Sequence, residues 1–476
     1  MSTISAAPTK NFFVEMLVRD IELKDALLDL LDNCVDGAMR SLVAQGKPLD
    51  GMNPYDGFWA RIDFSKDEFS IQDNCGGIPI DVAKNSAFRL GRADSGQIDG
   101  GVPTVGVYGI GMKRAIFKMG QNSVVASRHH DEAFDVEITK EWMADDHNWD
   151  LELKERSPLP SEDQGTHIIV NEIRPGISSE FATSTFYDTF CEAVSQYYGI
   201  IIQKGFKVTV GSVDIEPRKI GFLLDEKGLE HGGAIAPYVY QKDPGEDGVE
   251  VTLAVGFYRP LPSEEEEAVQ EEEEREGRPS SEMAGWTIVA NDRVVLYADK
   301  TRVTGWDDAG VPAYHTQFTA ISGVVIFRSN KSESLPLTTT KRGVNGNSDL
   351  YLEVKNHMRD GLKLFTSFTN QWKKAPEERD KLKSDAPTMS ASEVVAAVSA
   401  RMKKSRREEG VSIFVPDLPK PNGKSTDRWI RYRKPLAEIQ KVSKFYFDAV
   451  DTEPSVVGER CFSKVLEQLN GAGEEK

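Results

Sequence analysis

The stretch LLDLLDNCVDGA, residues 27–38, sets a run of leucines against four small polar groups, Asp29, Asp32, Asn33 and Asp36. Leu23, Leu27, Leu30, Leu31 and Val35 recur at helical spacing, which predicts a helix over about 20–45 with one buried face. Asp29 and Asn33 stand four residues apart, so a carboxylate and an amide oxygen share one face a turn from each other. A hard divalent ion such as Mg2+ takes oxygen ligands and keeps several waters, so one Asn oxygen plus phosphate oxygens is a sufficient protein contribution. A neighbouring carboxylate would then orient or deprotonate a water. The plain alternative is a solvent-facing helix surface, where polar residues usually sit.

The chain has 476 residues, room for two or three domains, with ordinary hydrophobic (39%) and charged (28%) shares. No apolar run approaches the roughly 20 residues that span a bilayer, so no membrane segment is expected. The start, MSTISAAPTKNFF, lacks the pattern of a secretion signal, and a cytoplasmic location is the expectation. Cys34, Cys75, Cys191 and Cys461 form no C-x-x-C pair, which argues against a zinc site and a disulfide framework and predicts reduced thiols. A net charge of −18 argues against adhesion of the whole surface to nucleic acid. The basic stretches KKSRREE (403–409) and DRWIRYRKP (427–435) read as solvated faces or as local phosphate contacts, so DNA stays an open partner.

Downstream of the helix, FWARIDF (58–64) and EFSIQDN (68–74) alternate as a hairpin and run into the sharp turn CGGIP. A Gly-rich loop from Gly91 to Gly111 leads to the helix-compatible MKRAIFKMG. SVVASRH, AFDVEIT and GTHIIVNEI predict further strands, and a helix is expected near 179–198. Past GFKVTV (205–210), strands are expected at VEVTLAVGFY, WTIVANDRVVLY and ISGVVIF. The like-charged run 263–282 reads as a solvated insertion. The expected organisation is an N-terminal arm (1–20), a first domain (21–200), a second (201–350), a helical segment (351–410), a linker (411–428) and a C-terminal region (429–476).

Two further motifs carry chemistry. In DNCGGIP (73–79), Asp73 would accept from an exocyclic amine while Gly76 and Gly77 let a planar base approach the backbone, although acid-glycine pairs also occur in plain turns. In GVYGIGMKRA (106–115), Gly106, Gly109 and Gly111 precede a helix whose first N–H groups would face phosphate oxygens, with Lys113 as a point charge. The Walker spacing is absent.

In this order, acidic-x-x-x-Asn, Asp-Asn-x-Gly-Gly, a Gly-rich stretch ending in Gly-x-Gly, and Gly165-Thr166 at a strand start, the chain resembles the GHKL ATPase superfamily. That superfamily holds gyrase B, heat-shock-ninety chaperones, histidine kinases and MutL, with MORC proteins as relatives. The resemblance spans about residues 20–175 by motif and extends to Lys341. It implies an α+β protein: a Bergerat-type ATP-binding α/β sandwich, an S5-like βαβ transducer domain and a mainly helical C-terminal region. It implies ATP and Mg2+, with Asn33 as metal ligand and Asp29 and Lys341 as catalytic residues. The nucleotide-binding set it implies is Asn33, Asp73, Gly77, Ile78, Gly106, Tyr108, Gly109, Ile110, Gly111, Met112, Lys113 and Thr166, with 91–108 as a lid. It further implies an ATP-dependent homodimer, in which the segment before residue 20 would exchange between protomers, acting on a protein partner or client.

Two residues depart from the pattern. Asp29 is one methylene shorter than the usual glutamate, which predicts slow turnover unless the helix sits closer, and Cys75 replaces the first glycine of the adenine motif. With about twenty residues before the site, a kinase phosphoacceptor helix is not expected, and a topoisomerase subunit or a heat-shock-ninety chaperone would be expected to carry more chain after it. GWTIVANDRVVLYADKT and LPLTTTKRGVN look like MORC-like and bacterial heat-shock-ninety-like proteins, some of which act in phage defence. A nucleotide sensor that binds ATP with little turnover and recruits an effector is the alternative.

Overall fold

A computed structural model describes residues 9–49, 51, 53–89, 102, 104, 110–226, 228–230, 232–263, 265–267, 269, 283–338, 343–375, 386–406, 408–421, 430 and 432–471. It opens with Lys10–Arg19 (α1), capped by the Thr9 hydroxyl, which accepts from the Phe12 N–H at 3.3 Å. α1 is held on its own chain by Lys10, whose fully buried ammonium donates to the carbonyls of Trp142 (2.6 Å) and Asn148 (2.5 Å) above the Trp142 ring. The leucine-rich helix follows as Leu23–Ala44 (α2).

The predicted hairpin is Trp59–Phe64 (β1) with Glu68–Asp73 (β2), antiparallel with Ala60 opposite Asp73. Phe69, Ile71 and Asp73 share the buried face by the two-residue period of a strand, so the register itself carries the Asp73 carboxyl inward. Gly111–Met119 (α3) leads directly into Gly120–His129 (β3), followed by Glu132–Ile138 (β4), Leu153–Arg156 (β5) and Gly165–Ile173 (β6). Ser184–Tyr197 (α4) precedes Lys207–Val210 (β7) and Val213–Asp214 (β8). The eight strands lie in the order β5-β4-β3-β6-β2-β1-β7-β8, antiparallel except for β1 with β7. Leu27, Leu31 and Val35 of α2 and Ile116 and Phe117 of α3 meet Ile62, Phe69, Ile71, Val125 and Val170 in one core, so helices lie on the sheet as a sandwich.

Gly221–Leu223 (β9) precedes the second sheet, built from Tyr238–Lys242 (β10), Glu250–Phe257 (β11), Gly285–Ala290 (β12), Arg293–Asp299 (β13) and Ile321–Arg328 (β14). The stretch WTIVANDRVVLY, read above as one strand, is two: Asn291 and Asp292 take positive φ (46° and 66°) and fold it into a tight hairpin. Asp349–Trp372 (α5) covers one face of this sheet through Tyr351, Val354, Leu362 and Phe365.

The segment 351–410 is not all helix. Thr388–Ser390 (β15) pairs with β9, Ala391–Val398 (α6) covers the second face of the sheet, and Lys403–Lys404 (β16) is an edge strand. Val411–Phe414 (β17), placed in the linker by the sequence reading, pairs with β10. Its alternation is too short to stand out beside the Pro-rich run that follows, and the order is β13-β12-β14-β11-β10-β17-β16. Residues 1–422 form one compact unit and 423–476 another, whose helices are Leu436–Phe447 (α7) and Pro454–Gly471 (α8). Among the described residues no helix is long and apolar enough to cross a membrane.

Candidate functional site

The four polar groups of α2 have four different surroundings. Asn33 is the one exposed residue between Ala26 and Asp36. Asp29 is buried, and its Oδ2 accepts from the Arg114 guanidinium of α3 at 2.5 Å. Asp32 is buried and accepts from the Tyr198 hydroxyl (2.6 Å) and from Arg293 Nε of β13 (2.8 Å). Asp36 is buried as well. The core face of this helix thus takes in three carboxylates, at least two of them ion-paired or hydrogen-bonded, and Asn33 alone opens outward.

At the far end of the hairpin, Asp73 Oδ1 accepts from the backbone N–H of Cys75 (2.8 Å) and of Thr166 (3.3 Å). Burial pushes its carboxyl up to about 6, with these N–H groups pulling the other way. The thiols of Cys34 and Cys75, beside it, are driven well above the ordinary range by burial and act as small apolar groups. The turn after Asp73 is fastened to β3: Ile78 N–H donates to Ser127 Oγ at 2.8 Å, and His129 Nδ1 lies 2.7 Å from the Gly76 carbonyl. Ser127 donates to the Gly165 carbonyl and lies 3.2 Å from Thr166 Oγ1. Gly77 has φ +69°, and a Cβ there would overlap the Arg128 carbonyl, so the space its side chain leaves is taken by β3.

Ile110 and Gly111 open α3 directly over Asp29; a Cβ on Gly111 would stand 3.3 Å from the Asp29 Cβ. Met112 is half-buried, and Lys113 is buried with its ammonium donating to the Ala87 carbonyl at 2.8 Å. In this arrangement the cation at Asp29 is Arg114, which the motif reading passed over although it stands next to Lys113. Its Nε is buried with no hydrogen-bond partner. Gly106, Tyr108, Gly109 and Lys341 lie outside the described residues, as does 91–108 apart from Val102 and Thr104.

Residues 21–167 match the family described as histidine kinase-, DNA gyrase B-, and HSP90-like ATPase. The chain carries a GHKL-type ATPase domain. No curated protein shows significant similarity to the chain. The matched residues run from the start of α2 to the strand that supplies Thr166, so the GHKL domain contains the described groups just placed, apart from Arg293 and Tyr198.

The GHKL site suits a magnesium nucleotide. Among the described residues no group of three or more His, Cys, Asp or Glu side chains could hold a metal by itself. An ion at the open Asn33 oxygen would therefore share its shell with phosphate oxygens and water, the habit of Mg2+. With Asp73 Oδ1 committed to two backbone donors, its second oxygen would be the one to accept from an exocyclic amine.

Proposed function

We propose that this chain is a Mg2+-dependent ATPase that works as a conformational switch, dimerising with ATP bound and acting on a partner. The observation that supports this most is the division of labour on α2, where Asn33 opens outward one turn from a buried Asp29 lying against the first residue of α3. Asp73 recognises the adenine amine, and Asn33 holds the metal. Asp29 orients the attacking water, and Arg114 fixes its carboxylate. Bound Mg-ATP supplies the phosphoanhydride and the charge that the cation and the helix N-terminus meet.

The tight Asp29–Arg114 pair also favours a second reading, a nucleotide sensor with little turnover, because the carboxylate oxygen held by the guanidinium is not free to take up and orient a water. Phosphate release and binding of the β,γ-imido ATP analogue separate the two. For the ATPase, wild type turns over, Asp29→Asn binds the analogue without turnover, and Asn33→Ala loses Mg2+-dependent binding. Binding by wild type with no more phosphate release than Asp29→Asn establishes the sensor, and no binding at all removes both readings. Sedimentation with and without the analogue tests dimerisation; a wild type that binds it and stays monomeric refutes that part.

A further inference from the structure

Three consecutive residues of the second sheet, Asn291, Asp292 and Arg293, each reach a different part of the GHKL domain or its flank. Asn291, buried at the β12–β13 turn, donates to the carbonyls of Ser329 (3.1 Å) and Thr104 (3.4 Å). The Thr104 carbonyl also accepts from Ser332 Oγ at 2.7 Å. Asp292 accepts from Lys204 Nζ (2.5 Å) and the Tyr55 hydroxyl (3.2 Å), with Arg328 3.3 Å from its other oxygen. Arg293 enters between α2 and the end of α4: its Nε donates to Asp32 and its guanidinium lies 4.2 Å from the Tyr198 ring centroid. Both members of this ion pair are almost wholly buried, with side-chain exposures of 3% and 2%.

Asp32 immediately precedes Asn33 on a helix that is otherwise buried around this point. An α-helix turns as a rigid body, so holding Asp32 from within fixes the direction in which Asn33 points. We propose that Arg293 is a positioning residue of the ATP site: from the second sheet, through Asp32, it sets the rotation of α2 that presents Asn33 to the metal. Asp292 is the docking anchor that keeps the turn in place. By linkage, Mg-nucleotide at Asn33 and docking of the turn favour each other, a coupling carried by the Arg293–Asp32 pair.

This rests on the ATP reading of the site. The test uses the full chain, titrating the β,γ-imido ATP analogue at several Mg2+ concentrations, with folding checked by thermal melting. Arg293→Lys keeps a cation but loses the planar fork. It is expected to weaken analogue binding about tenfold at low Mg2+ and to raise the Mg2+ concentration at half-effect, with recovery at high Mg2+. Asp292→Asn, which loosens the turn but leaves the Arg293–Asp32 pair itself intact, is expected to move that Mg2+ midpoint in the same direction by clearly less than Arg293→Lys does. Asp32→Asn, which keeps an acceptor for Tyr198 and Arg293, moves the midpoint in the same direction as Arg293→Lys and serves if the lysine variant does not fold. In wild type, the analogue should slow amide exchange in the β12–β13 turn. A Mg2+ midpoint unmoved in the folded Arg293→Lys or Asp32→Asn variant, or moved equally by Asp292→Asn, overturns the inference while the ATP reading stands. Wild type that binds no analogue overturns both.

Discussion

Asp73 carries a cost in the protein without nucleotide. Its folded carboxyl titrates near 6, above the ordinary 3.8, because burial disfavours the charge more than two backbone donors favour it. A raised carboxyl pKa means the folded chain holds this proton more tightly than the unfolded one. The associated stability is fully present below about 4 and is lost as pH rises through about 6. Asp73→Asn should therefore be more stable than wild type at pH 8 without nucleotide, by at most about 3 kcal/mol, and the gap should narrow as pH falls through about 6 and close only below about pH 4. The same change puts an amide NH2 where the adenine amine needs an acceptor. ATP affinity at pH 8 should fall roughly ten- to a hundredfold, the cost of an unmet buried donor. Calorimetric melts and equilibrium titration check the two halves.

Asp29 and Arg114 make a second case at this scale. Their ion pair is buried enough that leaving either partner alone should cost about 3 kcal/mol. In a double-mutant cycle on unfolding free energy, Asp29→Asn with Arg114→Met should be less destabilised than the sum of the singles by more than about 1 kcal/mol. Additive singles in urea denaturation would show that the pair contributes nothing.

Among elements, α2 and the β1–β2 hairpin were legible from the chain because their signals are local: apolar period near 3.6 in one, period 2 in the other. The turn after Asp73 was legible in place but not in purpose. Its glycines were read as room for a base, whereas Gly77 owes its lack of a side chain to the Arg128 carbonyl packed against it. Gly77→Ala should then destabilise the protein without nucleotide by about 1–3 kcal/mol, from strain at positive φ and displacement of β3. A melting temperature equal to wild type would restore the ligand-clearance reading. The β12–β13 hairpin was hidden because Asn291-Asp292 sits inside an unbroken run of strand-forming residues, without the glycine that usually marks such a turn.

At the scale of the whole molecule, the second sheet is closed by chain far downstream of its other strands. β17 pairs with β10 and carries β16, so the compact unit runs through 422. A chain ended after residue 421 should keep a single cooperative melt and the analogue affinity of the full protein. Ending it after residue 400 strips β16 and β17 from β10, and should lower the melt and expose apolar surface to a dye. Equal melts for the two truncations would mean that β17 adds nothing to the sheet.

The sequence by itself determined the helix with Asn33, the hairpin ending in Asp73, the order of motifs that matches the ATPase family, and the absence of a zinc pattern. These depend on spacing within a turn of helix or a pair of strands. Tertiary structure alone decided which cations meet Asp29 and Asp32 of α2. Arg114 lies 85 residues from Asp29, and Arg293 lies 261 from Asp32. An apolar period states which side of a helix is covered, and says nothing of which distant side chain is brought there to neutralise a buried charge.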